Sequence, residues 1–163
     1  INTYNPIMSA TKRVPVSEGV WSDLSTLKGP GQTYDDLLAS MIEQEKKRRF
    51  IEDMDRIEEE GDFVELDFGD KILIDRKVGE SLRRLSPKSQ RIIMDKLSTL
   101  VEDPYPGNGS DKERLCVQGR DDTYRLHISH TYTAFYRIHE PEKEVRILAV
   151  MSIEQAHKKY GWF

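Results

Sequence analysis

Between Arg114 and Met151 the chain repeats one pattern four times: a short alternating run, then a break. The runs are Arg114–Val117, Tyr124–Ser129, Thr133–His139 and Val145–Met151, the last pair joined around Pro141-Glu142-Lys143. Alternation at a period of two marks half-buried strands. Connections this short leave no room for a crossover helix, so the runs read as an antiparallel meander. Upstream, Lys71–Asp75 is a fifth strand. A helix follows it with Val78, Leu82 and Leu85 inward and Arg83 and Arg84 outward. Ser86-Pro87 opens a second helix carrying Ile92, Ile93, Leu97, Leu100 and Val101, because serine caps and proline suits the first helical turn. Residues 103–110 form a long polar loop, Glu154–Tyr160 a closing helix and Gly161-Trp162-Phe163 an apolar tail.

Charge divides the chain at Gly69-Asp70. Residues 1–68 hold 8 Lys/Arg against 15 Asp/Glu, whereas residues 69–163 hold 17 against 14. An acidic arm beside a basic domain is an arrangement in which one half can cover the other. The single cysteine, Cys116, excludes an internal disulfide framework and fits a reducing compartment. No apolar run approaches the ~20 residues of a membrane span, and residues 1–8 lack the pattern of a signal peptide, so the expected location is cytoplasmic without membrane contact. CxxC pairs, HExxH, Gly-rich phosphate loops and GxSxG are absent from the sequence, and neither a metal nor a cofactor is expected.

In the acidic half, Thr11–Ser17 alternates as a short strand, and Ser17 caps a helix with Val20, Trp21, Leu24 and Leu27 at helical spacing. Gly29-Pro30 stops it. Thr33 and Asp36 form the capping box of a second helix. Its stripe of Leu37, Leu38, Met41 and Ile42 resumes in a new phase at Phe50, Ile51, Met54 and Ile57, before Glu58–Gly61 ends the helix. So short a stretch cannot hold a core alone and is expected to dimerise or pack on a partner. Val14-Pro-Val-Ser17, Leu24-x-x-Leu27-Lys28, Thr33-Tyr-Asp-Asp-Leu37 and the tail from Phe50 to Leu66 resemble ribbon-helix-helix antitoxins over about residues 10–67. The resemblance implies a homodimer whose paired strands enter the DNA major groove, with Arg13 as the nucleic-acid contact. Pro15, which reads no base, and the surplus of acid oppose that DNA role.

Phe63–Phe68, Gly69-Asp70 and Lys71–Asp75 read as a hairpin with a two-residue turn at Gly69-Asp70. The expected division is residues 1–68 as a dimerising, neutralising segment and residues 69–163 as a second domain. The fold class is α+β: a strand-helix-helix arm, then strand, helical hairpin, antiparallel sheet and C-terminal helix.

The basic half resembles the RelE/ParE toxin superfamily over about residues 70–160, its matching words falling in the family's order. These are Leu82-x-x-Leu85-Ser-Pro-Lys with Ile93-x-x-x-Leu97, Leu115-x-x-x-Gly119-Arg120 with Tyr124-Arg-Leu-His127, Tyr132-Thr-Ala-Phe-Tyr136, and Val145–Val150. The resemblance implies a metal-independent endoribonuclease acting on mRNA at the ribosome, with Arg125 and His127 on one strand face, Arg120 beside them, and Tyr160 or His157 from the closing helix. Lys158 and Lys159 are candidate nucleic-acid contacts. Two cations of the family pattern are missing: Thr133 and Ile153 stand where arginines are expected. His130 and His139 read as surface loop positions. The function implied is a toxin-antitoxin fusion in which the acidic arm masks an mRNA interferase of full or reduced activity. The alternative is a non-enzymatic, dimeric, DNA-binding autoregulator on a decayed toxin scaffold. Gyrase poisoning, as in the ParE branch, is not separated from cleavage by these motifs.

Overall fold

The computed structural model describes residues 11–107, 109 and 111–163. The first ten residues, where a signal peptide was sought, and Asn108 and Ser110 of the polar loop lie outside them. The chain forms two compact units, one ending at Gln44 and the other running from Glu45 to Phe163.

In the first unit, α1 (Glu18–Leu27) starts at the Ser17 cap, whose Oγ accepts from Val20 N at 3.3 Å. The following helix α2 (Tyr34–Glu60) begins in this unit and ends in the other. Its capping box is closed in both directions: Thr33 N donates to Asp36 Oδ2 at 3.0 Å and Asp36 N to Thr33 Oγ1 at 3.1 Å. Trp21 and Tyr34 hold the two helices together, ring centroids 4.7 Å apart. Residues 11–17 are not in a strand. A strand needs a ladder partner, and the expected ribbon takes its partner from a second chain.

The second unit is a six-stranded sheet in the order β1-β2-β6-β5-β4-β3. Its strands are β1 (Phe63–Leu66), β2 (Gly69–Asp75), β3 (Lys112–Val117), β4 (Arg120–Ile128), β5 (Tyr132–His139) and β6 (Glu144–Ser152). All neighbours are antiparallel except β2 and β6, which run parallel. Between β2 and β3 lie α3 (Arg76–Arg83) and α4 (Pro87–Ser98), and α5 (Ile153–Tyr160) closes the fold.

The β1–β2 turn falls on Asp67-Phe68, two residues before the expected Gly69-Asp70, and Leu66 pairs with Gly69. This placement turns Phe68 onto the core. The β3–β4 turn is Gln118-Gly119, with φ of 48° and 80°. A tight hairpin with both residues in the left-handed region explains the glycine.

Strand alternation divides the apolar residues into two layers. Ile72, Ile74, Leu126, Ile128, Tyr136 and Ile147 join Leu82, Ile93 and Leu97 of the helical hairpin in one core. On the other, Leu115, Val117, Phe135 and Leu148 meet Ala156 and Tyr160 of α5 together with Phe50 and Met54 of α2. The second half of α2 is therefore part of a core, fully buried at Phe50 and Met54.

Candidate active site

On β4, Tyr124, Leu126 and Ile128 point into the helical-hairpin core, so Arg125 and His127 point to the opposite side. Arg125 is 12% exposed in its side chain and its guanidinium makes a close ion pair with Glu113, its cross-strand partner on β3. His127 Nε2 lies 3.8 Å from Glu113 Oε1, and the His127 backbone N–H donates to Asp111 O at 2.7 Å. Burial, and secondarily the neighbouring Arg125 charge, push the His127 imidazole below the ordinary histidine pKa. His157 of α5 is shifted the same way, by burial first and then by Arg125 and Lys47. Its ring lies tilted against that of Trp162, centroids 3.5 Å apart.

Arg125, His127 and His157 border one cavity of about 320 Å³. Thr133 and Ile153, the positions lacking the expected arginines, are in the same wall, with Phe163 beneath the Arg125 guanidinium at 5.4 Å. His127 and Ile153 also border a larger cavity of about 740 Å³ that reaches Lys96 and Asp111, themselves ion-paired at 2.5 Å. The arrangement offers two imidazoles that are neutral near pH 7, and one cation whose charge Glu113 already balances.

Within residues 72–157 the sequence matches the family described as the ParE toxin of the type II toxin-antitoxin system parDE. The chain belongs to that toxin family. Three solved structures resemble it. The archaeal RelE–RelB complex from Pyrococcus horikoshii OT3 is 23% identical, over 50% of this chain and 92% of that one, with a TM-score of 0.43. The RelBE2 toxin-antitoxin complex of Mycobacterium tuberculosis is 19% identical, over 50% and 95%, at 0.42. A double mutant of the E. coli toxin RelE in its free state is 20% identical, over 55% and 90%, at 0.41. No curated protein matches the chain.

The other expected residues of the toxin domain do not border that cavity, and Tyr160, Arg120 and Lys159 meet α2 instead. Tyr160 is 1% exposed, and its hydroxyl donates to Asp53 Oδ2 at 2.9 Å. Burial and that carboxylate raise its pKa strongly. Arg120 is held by Asp55 of α2 and by Asp122, the latter at 2.6 Å. Lys159 reaches Asp53 at 3.1 Å, Lys158 is exposed, and Arg13 is exposed in the first unit. His130 is exposed, as expected of a loop residue, but His139 ends β5 and sits 2.7 Å from Glu58 of α2. That position is explained by the strand extending one step beyond its apolar part to reach an acid.

Sequence reasoning missed Arg137, Asp53, Asp55 and Glu58. Arg137 is 8% exposed on β5, its Nε donating to Thr123 Oγ1 at 3.1 Å and its second guanidinium nitrogen to Asp55 Oδ1 at 2.7 Å. Glu58 also accepts from Arg146 at 2.9 Å. The available signal was the spacing Asp55, Glu58 beside buried Met54 and half-buried Ile57: acids flanking an inward stripe end at the rim of the contact. Among the described residues no group of His, Cys, Asp and Glu is arranged to hold a metal.

Proposed function

We propose that this chain is a RelE/ParE-type toxin domain, acting on mRNA, whose cations are neutralised in cis by an antitoxin-like arm, residues 1–68. The observation that carries this reading is the row Asp53, Asp55 and Glu58 on α2. Between them they engage Lys159, Tyr160, Arg120, Arg137, Arg146 and His139 of the toxin domain. A nucleic-acid phosphate would meet the same cations, so each carboxylate competes with it directly.

The chemistry assigned to the cavity is transfer of the 2′-hydroxyl proton to a neutral imidazole, His127 or His157, as the 2′-oxygen bonds to phosphorus and the P–O5′ bond breaks. The imidazolium returns the proton to the departing 5′-oxygen, while Arg125 faces the charge developing on the phosphate. Neutralisation differs here from a lid. Phe50 and Met54 anchor α2 in the core, so the arm does not detach without exposing that core. The test is growth and translation arrest on expressing the full chain beside its Asp53→Asn, Asp55→Ala, Glu58→Gln triple variant, with His127→Ala added as a control. Arrest by the triple variant, lost on His127→Ala, supports the reading; a harmless triple variant sinks it.

A second reading is supported by Thr133 and Ile153 in the cavity wall and by the Arg125–Glu113 pair. It is a domain that binds without cutting, used by a dimeric, DNA-binding autoregulator. Absence of transcript cleavage together with a gel shift of the upstream DNA, lost on Arg13→Ala, would favour it. A supercoiling assay on the same samples separates a gyrase target from an RNA one.

A further inference from the structure

We propose that Arg120 and Arg137 form a phosphate-binding site for a single-stranded nucleic-acid backbone, and that Asp55 occupies the place of the phosphate. The proposal rests on the neutralisation described above and names the ligand that the acid displaces. Arg120 opens β4 and Arg137 lies near the end of β5, the neighbouring strand. Both converge on a single carboxylate from α2. Asp55 Oδ1 accepts from Arg137 at 2.7 Å and from Arg120 at 2.9 Å, while the other guanidinium nitrogen of Arg120 donates to Oδ2. Two planar guanidinium groups closing on adjacent oxygens of one anion is the way arginines bind phosphate.

The sheet itself explains only half of this cluster. Two cations on adjacent strands repel, and the toxin domain supplies them with one anion of its own. That anion is Asp122, 2.6 Å from Arg120 and 3.6 Å from Arg137. The second negative charge comes from α2. Arg137 is also fixed before any ligand arrives: its side chain is 10% exposed and its Nε is held by Thr123. A preset, desolvated arginine loses little freedom on binding an anion. The pair stands apart from the cavity of Arg125 and His127, which neither arginine borders. It gives the sheet face a second phosphate contact, and Thr133 and Ile153 bring no cation to the first.

The test uses the full chain and a fluorescent single-stranded RNA oligonucleotide at low salt, followed by anisotropy. Asp55→Ala is expected to bind about tenfold tighter than wild type, because the carboxylate no longer holds the charged donors that the phosphate needs. Adding Arg120→Gln or Arg137→Gln removes the gain, and inorganic phosphate competes with the oligonucleotide in the Asp55→Ala protein only. Arg120 is the more exposed of the two, so its variant keeps the test open if Arg137→Gln misfolds. No gain in Asp55→Ala, a gain that survives Arg120→Gln, or oligonucleotide binding that inorganic phosphate does not displace would overturn the proposal. RNA binding gained without translation arrest would leave this site standing and remove the nuclease reading. Arrest by the triple variant with no gain in Asp55→Ala would do the reverse.

Discussion

Phe50 of α2 meets Phe135 of β5 edge to face, ring centroids 5.0 Å apart, and both side chains are fully buried. Phe50 also packs on Tyr160 and Phe163, at 5.1 and 4.9 Å. The acidic row on α2 is carried by a helix that the toxin sheet needs for its own core. Phe50→Ala is therefore expected to destabilise the full chain by about 3–5 kcal/mol, the usual cost of emptying a buried aromatic site. Denaturant unfolding measures it, and a loss below 1 kcal/mol would show that α2 is only laid on the surface.

Truncation should behave asymmetrically for the same reason. A chain starting at Glu45 keeps Phe50 and Met54 and is expected to fold with a cooperative transition. A chain starting at Gly69 loses both, together with β1, and is expected to bind hydrophobic dyes and aggregate. Circular dichroism melting of the two proteins checks this, and a well-folded 69–163 fragment would contradict it.

Tyr160→Phe removes the donor to Asp53 but leaves that acid its contacts with Lys159 and Arg56. A loss of about 1 kcal/mol of stability is expected, the worth of one hydrogen bond. In the charge-neutralised variant the same change is expected to leave any cleavage rate within about twofold, because Tyr160 does not border the cavity. A large fall in rate with unchanged stability would return Tyr160 to the catalytic set.

The pH dependence follows from His127 and the acids of α2. His127 has its pKa lowered from 6.5, so the unfolded chain binds more protons as the pH falls past that value. Its contribution is full above 6.5 and is lost as the solution becomes more acid. Asp55, lowered chiefly by its hydrogen bond to Arg120, adds stability above the ordinary carboxylate range that is lost on acidification through its folded value. Unfolding free energy is thus expected to fall steadily below pH 6.5, with Asp55→Ala flattening the lowest part. Any cleavage that uses His127 as base should already be near its plateau at pH 7. A rate still climbing steeply from pH 7 to 8 would exclude that role.

Much of the fold was legible because its signals are local. Ser86-Pro87, the Thr33–Asp36 box and the alternating runs each fix an element without reference to the rest. The β1–β2 turn was misplaced because Phe68 is drawn to a core that the local pattern does not describe. The candidate site was legible where two residues share a strand, as Arg125 and His127 do. It was not legible for Arg137 and Asp55, whose meeting depends on α2 crossing strands 82 positions away.

The most direct measurement is the integrity of a reporter mRNA in a cell-free translation reaction given purified full-length protein, wild type or the Asp53→Asn, Asp55→Ala, Glu58→Gln triple variant. The expected result is an intact transcript with wild type and cut transcript with the triple variant, abolished by His127→Ala. Equal transcript integrity with both proteins, at matched folding, would contradict neutralisation by α2.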